Sequence, residues 1–118
     1  MMVQLVRSKI HRAAITQADL HYEGSLAVDQ DLLDEANMYA YEKILVVNMA
    51  TGSRLETYAI PADRGSRVFC LNGAAARLGT KGDRITIMSF GSVEEEEARK
   101  HKPTVIVLDE DNEIIQRK

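Results

Sequence analysis

Cysteine and proline are scarce in this chain, and tryptophan is absent. Its 118 residues include one cysteine, Cys70, and two prolines, so an intramolecular disulfide is excluded and the fold must rest on a hydrophobic core. No apolar run approaches the ~20 residues that span a bilayer, and the amino-terminal stretch lacks the apolar core of a secretory signal. We therefore expect a single domain over residues 1–118, with no membrane partner, in the reducing cytoplasm. Cys70 is expected to be a buried, inert thiol.

Basic residues are slightly fewer than acidic ones. Lysine and arginine total 15 against 18 aspartates and glutamates, and the formal net charge is −3. No basic stripe suited to a phosphate backbone is present, so no nucleic-acid partner is predicted. The three histidines lack the spacing of metal ligands, so no metal site is predicted either. An acidic substrate would have to be bound by a few local cations.

The hydrophobic pattern predicts many short strands and two short helices. The predicted strands are 3–15, 43–48, 54–60, 68–71, 84–90, 105–108 and 113–116, and the predicted helices are 29–38 and 94–100. Residues 49–53 are expected to join two of the strands as a hairpin loop, and a capping box over 92–95 is expected to start the second helix. Many short strands with two small helices favour a closed or nearly closed β-barrel.

The pair Gly24-Ser25 lies in a predicted turn, because Gly24 interrupts the strand pattern. Taken alone, this pair is most often an ordinary turn. In a strained turn, however, the Ser25 hydroxyl can attack the Gly24 carbonyl and convert the amide to an ester. Elimination and hydrolysis would then leave a pyruvoyl ketone at the new amino terminus. Glycine suits the position before the cut, because it tolerates strained backbone and leaves its carbonyl unshielded.

The surrounding sequence carries a set of motifs in a fixed order. They are Lys9-Ile10-His11-Arg12, Ala18-Asp19-Leu20-His21-Tyr22-Glu23-Gly24-Ser25, Arg54 with Thr57-Tyr58-Ala59-Ile60, Arg64-Gly65-Ser66, Asn72-Gly73-Ala74-Ala75-Ala76 and Gly82-Asp83. This ordered set closely resembles the bacterial aspartate 1-decarboxylases, over roughly residues 3–112. A lone Gly-Ser pair is weak evidence for this resemblance, whereas the whole ordered series of motifs is specific evidence for it.

The resemblance implies a fold, a reaction and a cofactor. The fold would be mainly β, a double-psi β-barrel with short helices, assembled as a homotetramer with sites at subunit interfaces. The precursor would cleave itself between Gly24 and Ser25 into a β chain of residues 1–24 and an α chain of residues 25–118. Ser25 would become a covalent pyruvoyl group, which forms a Schiff base with L-aspartate and yields β-alanine and CO2 for pantothenate and coenzyme A synthesis. Whether a maturation factor assists the cleavage is left open.

The resemblance also assigns roles to individual residues. Lys9 and Arg54 would face the two substrate carboxylates, and Tyr58 would donate the proton that replaces CO2. Thr57 would bond the Gly24 carbonyl during cleavage and later contact the substrate. The remaining substrate-binding residues would be Asn72, Gly73, Ala74 and Ala75. Apart from the resemblance, solvated charges, a strand tyrosine and a tight connection explain the same residues.

One geometric difficulty concerns the strand after the hairpin loop. Strand alternation places Arg54, Glu56 and Tyr58 on one face and Thr57 on the other. A bulge, or a subunit boundary running through the site, could reconcile their shared role. The alternative function is a non-catalytic small β-barrel that binds a ligand or partner. A serine hydrolase is disfavoured, because no Gly-x-Ser-x-Gly elbow surrounds Ser25.

Overall fold

A computed structural model describes residues 1–118, and strands dominate it. The elements are β1 Met2–Ala14, β2 Gln17–Asp19, β3 Ser25–Asp29, α1 Gln30–Glu35, β4 Lys43–Asn48, β5 Arg54–Ala62, β6 Phe69–Asn72, a 3₁₀ helix Gly73–Leu78, β7 Arg84–Glu94, α2 Glu95–Ala98, β8 Thr104–Leu108 and β9 Ile114–Arg117. The predicted hairpin is present, with residues 49–53 joining β4 to β5. None of the helices has the length and apolar character required to cross a membrane.

The strands close into a barrel because β1 and β2, which follow each other in the chain, pair with the two ends of one row of five strands. β1 pairs with β7, β2 pairs with β6, and the strands between them run in the order β6, β3, β5, β4, β7. At the junction the Thr16 nitrogen donates to the Phe69 carbonyl at 2.9 Å. The pairs β3–β5 and β2–β6 are parallel in an otherwise antiparallel ring. The predicted mainly β barrel with short helices is therefore confirmed.

The barrel interior is apolar, and alternation in the strands produces it. In β7 the residues Ile85 and Ile87 are fully buried and face Ile10 and Ala13 of β1, whereas Met88 points to the outside. The core cluster contains 19 buried residues drawn from nearly every element. Full burial of each large aliphatic side chain contributes about 1.5–3 kcal/mol, so this cluster is the main source of stability.

Strand β1 is less regular than its pattern suggested. Its register with β7 shifts between Ile10 and Ala13, and Arg12 there adopts a φ of 67°. The Arg84 guanidinium stabilises this bulge by donating to the Arg12 carbonyl at 2.7 Å and to the Leu108 carbonyl at 2.9 Å. Before the bulge, Lys9 and His11 alternate with the buried Ser8 and Ile10 and therefore lie on the outer side.

Both predicted helices are present in shorter form, 29–38 as α1 and 94–100 as α2, but the capping predicted for the second is absent. α1 is confirmed, in a shorter form, with the Asp29 carboxylate capping it through the Asp31 nitrogen at 2.8 Å. The prediction of a capping box at 92–95 was wrong, because Ser92 lies inside β7 and no side chain caps α2. Pairing of Ser92 with Gln4 and of Val93 with Val3 holds this segment extended up to Glu94. Long-range pairing here overrides a local capping motif.

Candidate active site

Ser25 is the first residue of β3 and is almost completely buried. Its side chain is 1% exposed, although Gly24 and the turn before it are exposed. The Ser25 Oγ accepts a hydrogen bond from Asn72 Nδ2 at 3.1 Å and donates to the Glu23 carbonyl at 3.4 Å. Antiparallel pairing of Ser25 with Asn72 positions the two side chains. The Ser25 hydroxyl is thus held in one place beside its own peptide bond.

Gly73 presses directly against the backbone of Gly24. Its φ is +67°, a conformation that favours glycine, and it begins the 3₁₀ helix after Asn72. A Cβ at Gly73 would lie 2.8 Å from both the Cα and the nitrogen of Gly24. Only glycine can therefore occupy this position without displacing the Gly24–Ser25 peptide.

Thr57 faces a cavity that also contains Gly24. The cavity has a volume of about 270 Å³. Its lining residues are Gly24, Leu55, Glu56, Thr57, Ala74, Ala75 and Leu78. Thr57 pairs with the buried Ile44 across a regular register, so the side chains of Thr57 and Leu55 lie on the inner face of β5. A bulge is therefore not needed to bring Thr57 to Gly24.

Arg54 and Tyr58 lie on the opposite, outer face of β5. They pair with Val47 and Lys43 of β4, and the register between these residues has no shift. Tyr58 is half-buried beside Tyr41, with ring centroids 6.4 Å apart. Within one chain, therefore, the side chains of Arg54 and Tyr58 point away from the side of β5 that meets Gly24.

Lys9 and His11 belong to the same outer face, on β1, three strands further along from β5. Lys9 pairs with Met88 of β7, and Met88 in turn pairs with Leu45 of β4. The His11 Nδ1 is 3.0 Å from Thr86 Oγ1. We call the outer side of β1, β7, β4 and β5, which carries Lys9, His11, Arg54 and Tyr58, the outer sheet face.

The outer sheet face combines unpaired cations with apolar surface. Neither Lys9 nor Arg54 takes part in any ion pair of the chain, whereas Lys43 on the same face pairs with Glu56 at 3.2 Å. Burial and the nearby charge of Lys9 lower the pKa of His11, so the imidazole is neutral at neutral pH. Apolar residues lie between the charges, and Phe90 is 41% exposed.

The structure divides the predicted site residues into two groups. Gly24, Ser25, Thr57 and Asn72 are brought together with Gly73–Ala75, and Lys9, Arg54 and Tyr58 share the outer sheet face. Sequence reasoning missed the contact of Cys70, whose Sγ is 3.2 Å from Asn72 Oδ1. The alternation of β6 could have predicted this contact, because Cys70 and Asn72 are two residues apart and so lie on the same face of the strand.

The sequence is similar to known proteins over almost its whole length. A sequence model described as "Aspartate decarboxylase" matches residues 1–115. An aspartate 1-decarboxylase of Phenylobacterium zucineum is 53% identical over 114 residues, which is 97% of each chain. One from Leptospira biflexa is 53% identical over 113 residues, covering 95% of this chain and 96% of its own. One from Clostridium kluyveri is 50% identical over 116 residues, covering 98% of this chain and 91% of its own.

The matched span includes both groups of site residues and all nine strands except the last residues of β9. The chain therefore belongs to the aspartate decarboxylase family. The resemblance noted from the motifs is confirmed.

Proposed function

We propose that this chain is the self-cleaving precursor of a pyruvoyl-dependent aspartate 1-decarboxylase, which converts L-aspartate to β-alanine and CO2. The observation that carries the proposal is the buried Ser25 hydroxyl, held by Asn72 next to a Gly24 that abuts Gly73. An ordinary turn serine would be solvated, and burial of this hydroxyl demands a reason. β-Alanine would serve pantothenate synthesis, and the single thiol suits a cytoplasmic enzyme.

The proposed cleavage uses only the chain and water. The Ser25 Oγ bonds to the Gly24 carbonyl carbon, the C–N bond breaks, and the hydroxyl proton passes to the Ser25 nitrogen. Loss of the Ser25 Cα proton then expels the Gly24 carboxylate and leaves a dehydroalanine. Addition of water releases ammonia and leaves the pyruvoyl group on residues 25–118. Thr57, which lines the Gly24 cavity, would donate to the Gly24 carbonyl as charge develops on it.

The surroundings of Ser25 fit a pyruvoyl group. That group is neutral, and the Asn72 amide would lie beside it, while the backbone of Gly73 and the small side chains of Ala74 and Ala75 adjoin the neighbouring Gly24. The ketone would supply an electron sink for the carbanion that remains when CO2 departs. The backbone N–H groups at Gly73–Ala75 and the Asn72 side chain would bind and orient the substrate.

Substrate binding in this proposal needs the outer sheet face as well. Lys9 and Arg54 have no carboxylate of their own chain to pair with, so they are available to the two carboxylates of aspartate. Tyr58 would donate a proton to the carbanion. Since Tyr58 and Arg54 face away from Gly24, we propose that one subunit supplies the Ser25 group and its neighbour supplies the outer sheet face. A homotetramer with sites at its interfaces meets this requirement.

Intact mass of the purified wild-type chain tests the proposal. We expect two fragments, residues 1–24 and 25–118, with the larger one blocked to Edman degradation, and release of CO2 from L-aspartate. Repeating the incubation with bacterial lysate would reveal a maturation factor as an acceleration. One uncut mass without CO2 release would instead support the non-catalytic binding protein, with Gly24-Ser25 as an ordinary turn.

We expect Tyr58→Phe to cleave itself normally but to turn over L-aspartate about a hundredfold more slowly, because it lacks the proposed acid. Tyr41→Phe is the matched control, since Tyr41 is the ring neighbour of Tyr58 and is 76% exposed. Fragment masses and steady-state CO2 release measure the two steps separately. Wild-type turnover by Tyr58→Phe would remove Tyr58 as the acid.

Mixed oligomers test the shared site. Chains carrying Ser25→Ala are refolded together with chains carrying Tyr58→Phe, each of which is deficient alone. If Ser25 and Tyr58 of one site come from different subunits, the mixture contains sites with both intact residues and gains activity. A mixture no more active than the sum of its parts would place both residues in one subunit.

A further inference from the structure

We propose that Cys70 is a positioning residue for self-cleavage: its thiol fixes the Asn72 amide so that Nδ2 donates to the Ser25 hydroxyl. This inference rests on the proposed function of Ser25. It assigns a role to a residue that the sequence pattern predicted to be inert. The three side chains form one hydrogen-bonded series, which we call the Cys70–Asn72–Ser25 relay.

The geometry of the relay is continuous. The Cys70 Sγ donates to Asn72 Oδ1 at 3.2 Å, and Asn72 Nδ2 donates to Ser25 Oγ at 3.1 Å. Cys70 is 7% exposed and Asn72 4% exposed, so little water competes for these contacts. The alternation of β6 places residues 70 and 72 on the same side of the strand, and the antiparallel pairing with β3 brings Ser25 opposite Asn72.

The Asn72 amide needs a partner that distinguishes its two ends. Its oxygen and nitrogen have nearly the same shape, so packing alone does not select between the two orientations. Although Asn72 precedes the 3₁₀ helix, its side chain makes no capping bond there. The Cys70 thiol is the one donor that reaches Asn72 Oδ1, and it selects the orientation together with Ser25, whose own hydrogen goes to the Glu23 carbonyl. A protonated thiol is a weak donor and a weak acceptor, and here it donates to the amide oxygen, which turns Asn72 Nδ2 toward Ser25.

The thiol remains a donor under physiological conditions. Burial, together with the negative charge of Asp19, raises the pKa of Cys70. The protonated form therefore persists at neutral pH and above. A thiolate would instead attract the amide nitrogen and turn the oxygen toward Ser25.

The selected orientation favours the first step of cleavage. A hydrogen bond donated to Ser25 Oγ stabilises the negative charge that appears there as the hydroxyl proton leaves for the nitrogen. With the amide reversed, Asn72 Oδ1 would face the same oxygen and oppose that charge. Cys70 would thus affect the rate of cleavage without touching the reacting atoms.

Two substitutions separate this role from packing. Cys70→Ser keeps a donor and is slightly smaller, whereas Cys70→Val removes the donor and is larger by one heavy atom. We expect Cys70→Ser to cleave at the wild-type rate and Cys70→Val to cleave about fivefold more slowly, as intact mass measures over time. Thermal unfolding of both variants would measure how far each substitution disturbs the packing around residue 70. Slower cleavage in Cys70→Ser than in Cys70→Val would overturn the relay, as would equal rates in all three chains.

A second measurement does not depend on cleavage. Nitrogen-15 spectra of the uncut chains resolve the side-chain amide of Asn72. We expect its signals to move in Cys70→Val and to stay in place in Cys70→Ser. Unmoved signals in both variants would overturn the relay. If the wild-type chain is never cut, the proposed function fails, and these spectra still decide whether Cys70 orients the amide.

Discussion

Ser25→Ala is expected to remain one chain of 118 residues and to release no measurable CO2 from L-aspartate. Alanine has no oxygen to attack the Gly24 carbonyl, so neither the ester nor the ketone can form. Intact mass after prolonged incubation measures the cleavage, and CO2 release measures the activity. Without cleavage the electron sink is absent, so the loss of activity should be as complete as the loss of cleavage.

The effect on folding must be separated from the effect on chemistry. Removal of the Ser25 Oγ leaves the buried Asn72 Nδ2 without its acceptor, which costs about 1–3 kcal/mol of stability. Circular dichroism and thermal unfolding would show that the variant still folds. Ser92→Ala is the matched control, because Ser92 is exposed in β7 and should cleave like the wild type. Normal decarboxylation by Ser25→Ala would refute the proposed origin of the cofactor.

Much of the fold could be predicted because local patterns determine it. The β4–β5 hairpin follows from two β-prone runs around a short polar loop, and α1 follows from its spacing and the capping Asp29. Closure of the barrel could not be predicted in the same way. It depends on contacts such as Thr16 with Phe69, between residues far apart in sequence. The failed capping box has the same cause, because pairing with β1 keeps Ser92 extended.

The sequence could predict which residues form the candidate site, but it could not predict how they are arranged in space. Alternation correctly placed Thr57 opposite Arg54 and Tyr58, and the regular register of β4 with β5 confirms it. Alternation could not say which face meets Gly24, because that depends on how β3 and β6 pack around the barrel. The role inferred for Cys70 was hidden for a similar reason. The apolar neighbours of Cys70 in the sequence indicated only that it is buried. Its role depends on the contact of Asn72 with Ser25, which lies on another strand.

Gly73→Ala is expected to slow self-cleavage about a hundredfold. The new Cβ would lie 2.8 Å from the Cα and nitrogen of Gly24, so the Gly24–Ser25 peptide must move. A displacement of about 1 Å between reacting groups can cost about a hundredfold in rate. The φ of +67° adds strain for any residue with a Cβ, about 1–2 kcal/mol. Intact mass over time gives the rate, and thermal unfolding gives the loss of stability.

Gly52→Ala separates the effect of the close contact with Gly24 from the effect of backbone strain at a positive φ. Gly52 has a φ of +78° in the β4–β5 loop, and a Cβ there would meet nothing within 4 Å. It therefore bears a similar backbone cost without touching Gly24, and should lose stability but cleave at the wild-type rate. Equal cleavage rates in the two variants would mean that the approach of Gly73 does not position the Gly24–Ser25 peptide. Slower cleavage confined to Gly73→Ala would show that this close contact holds the peptide where the Ser25 hydroxyl can attack it.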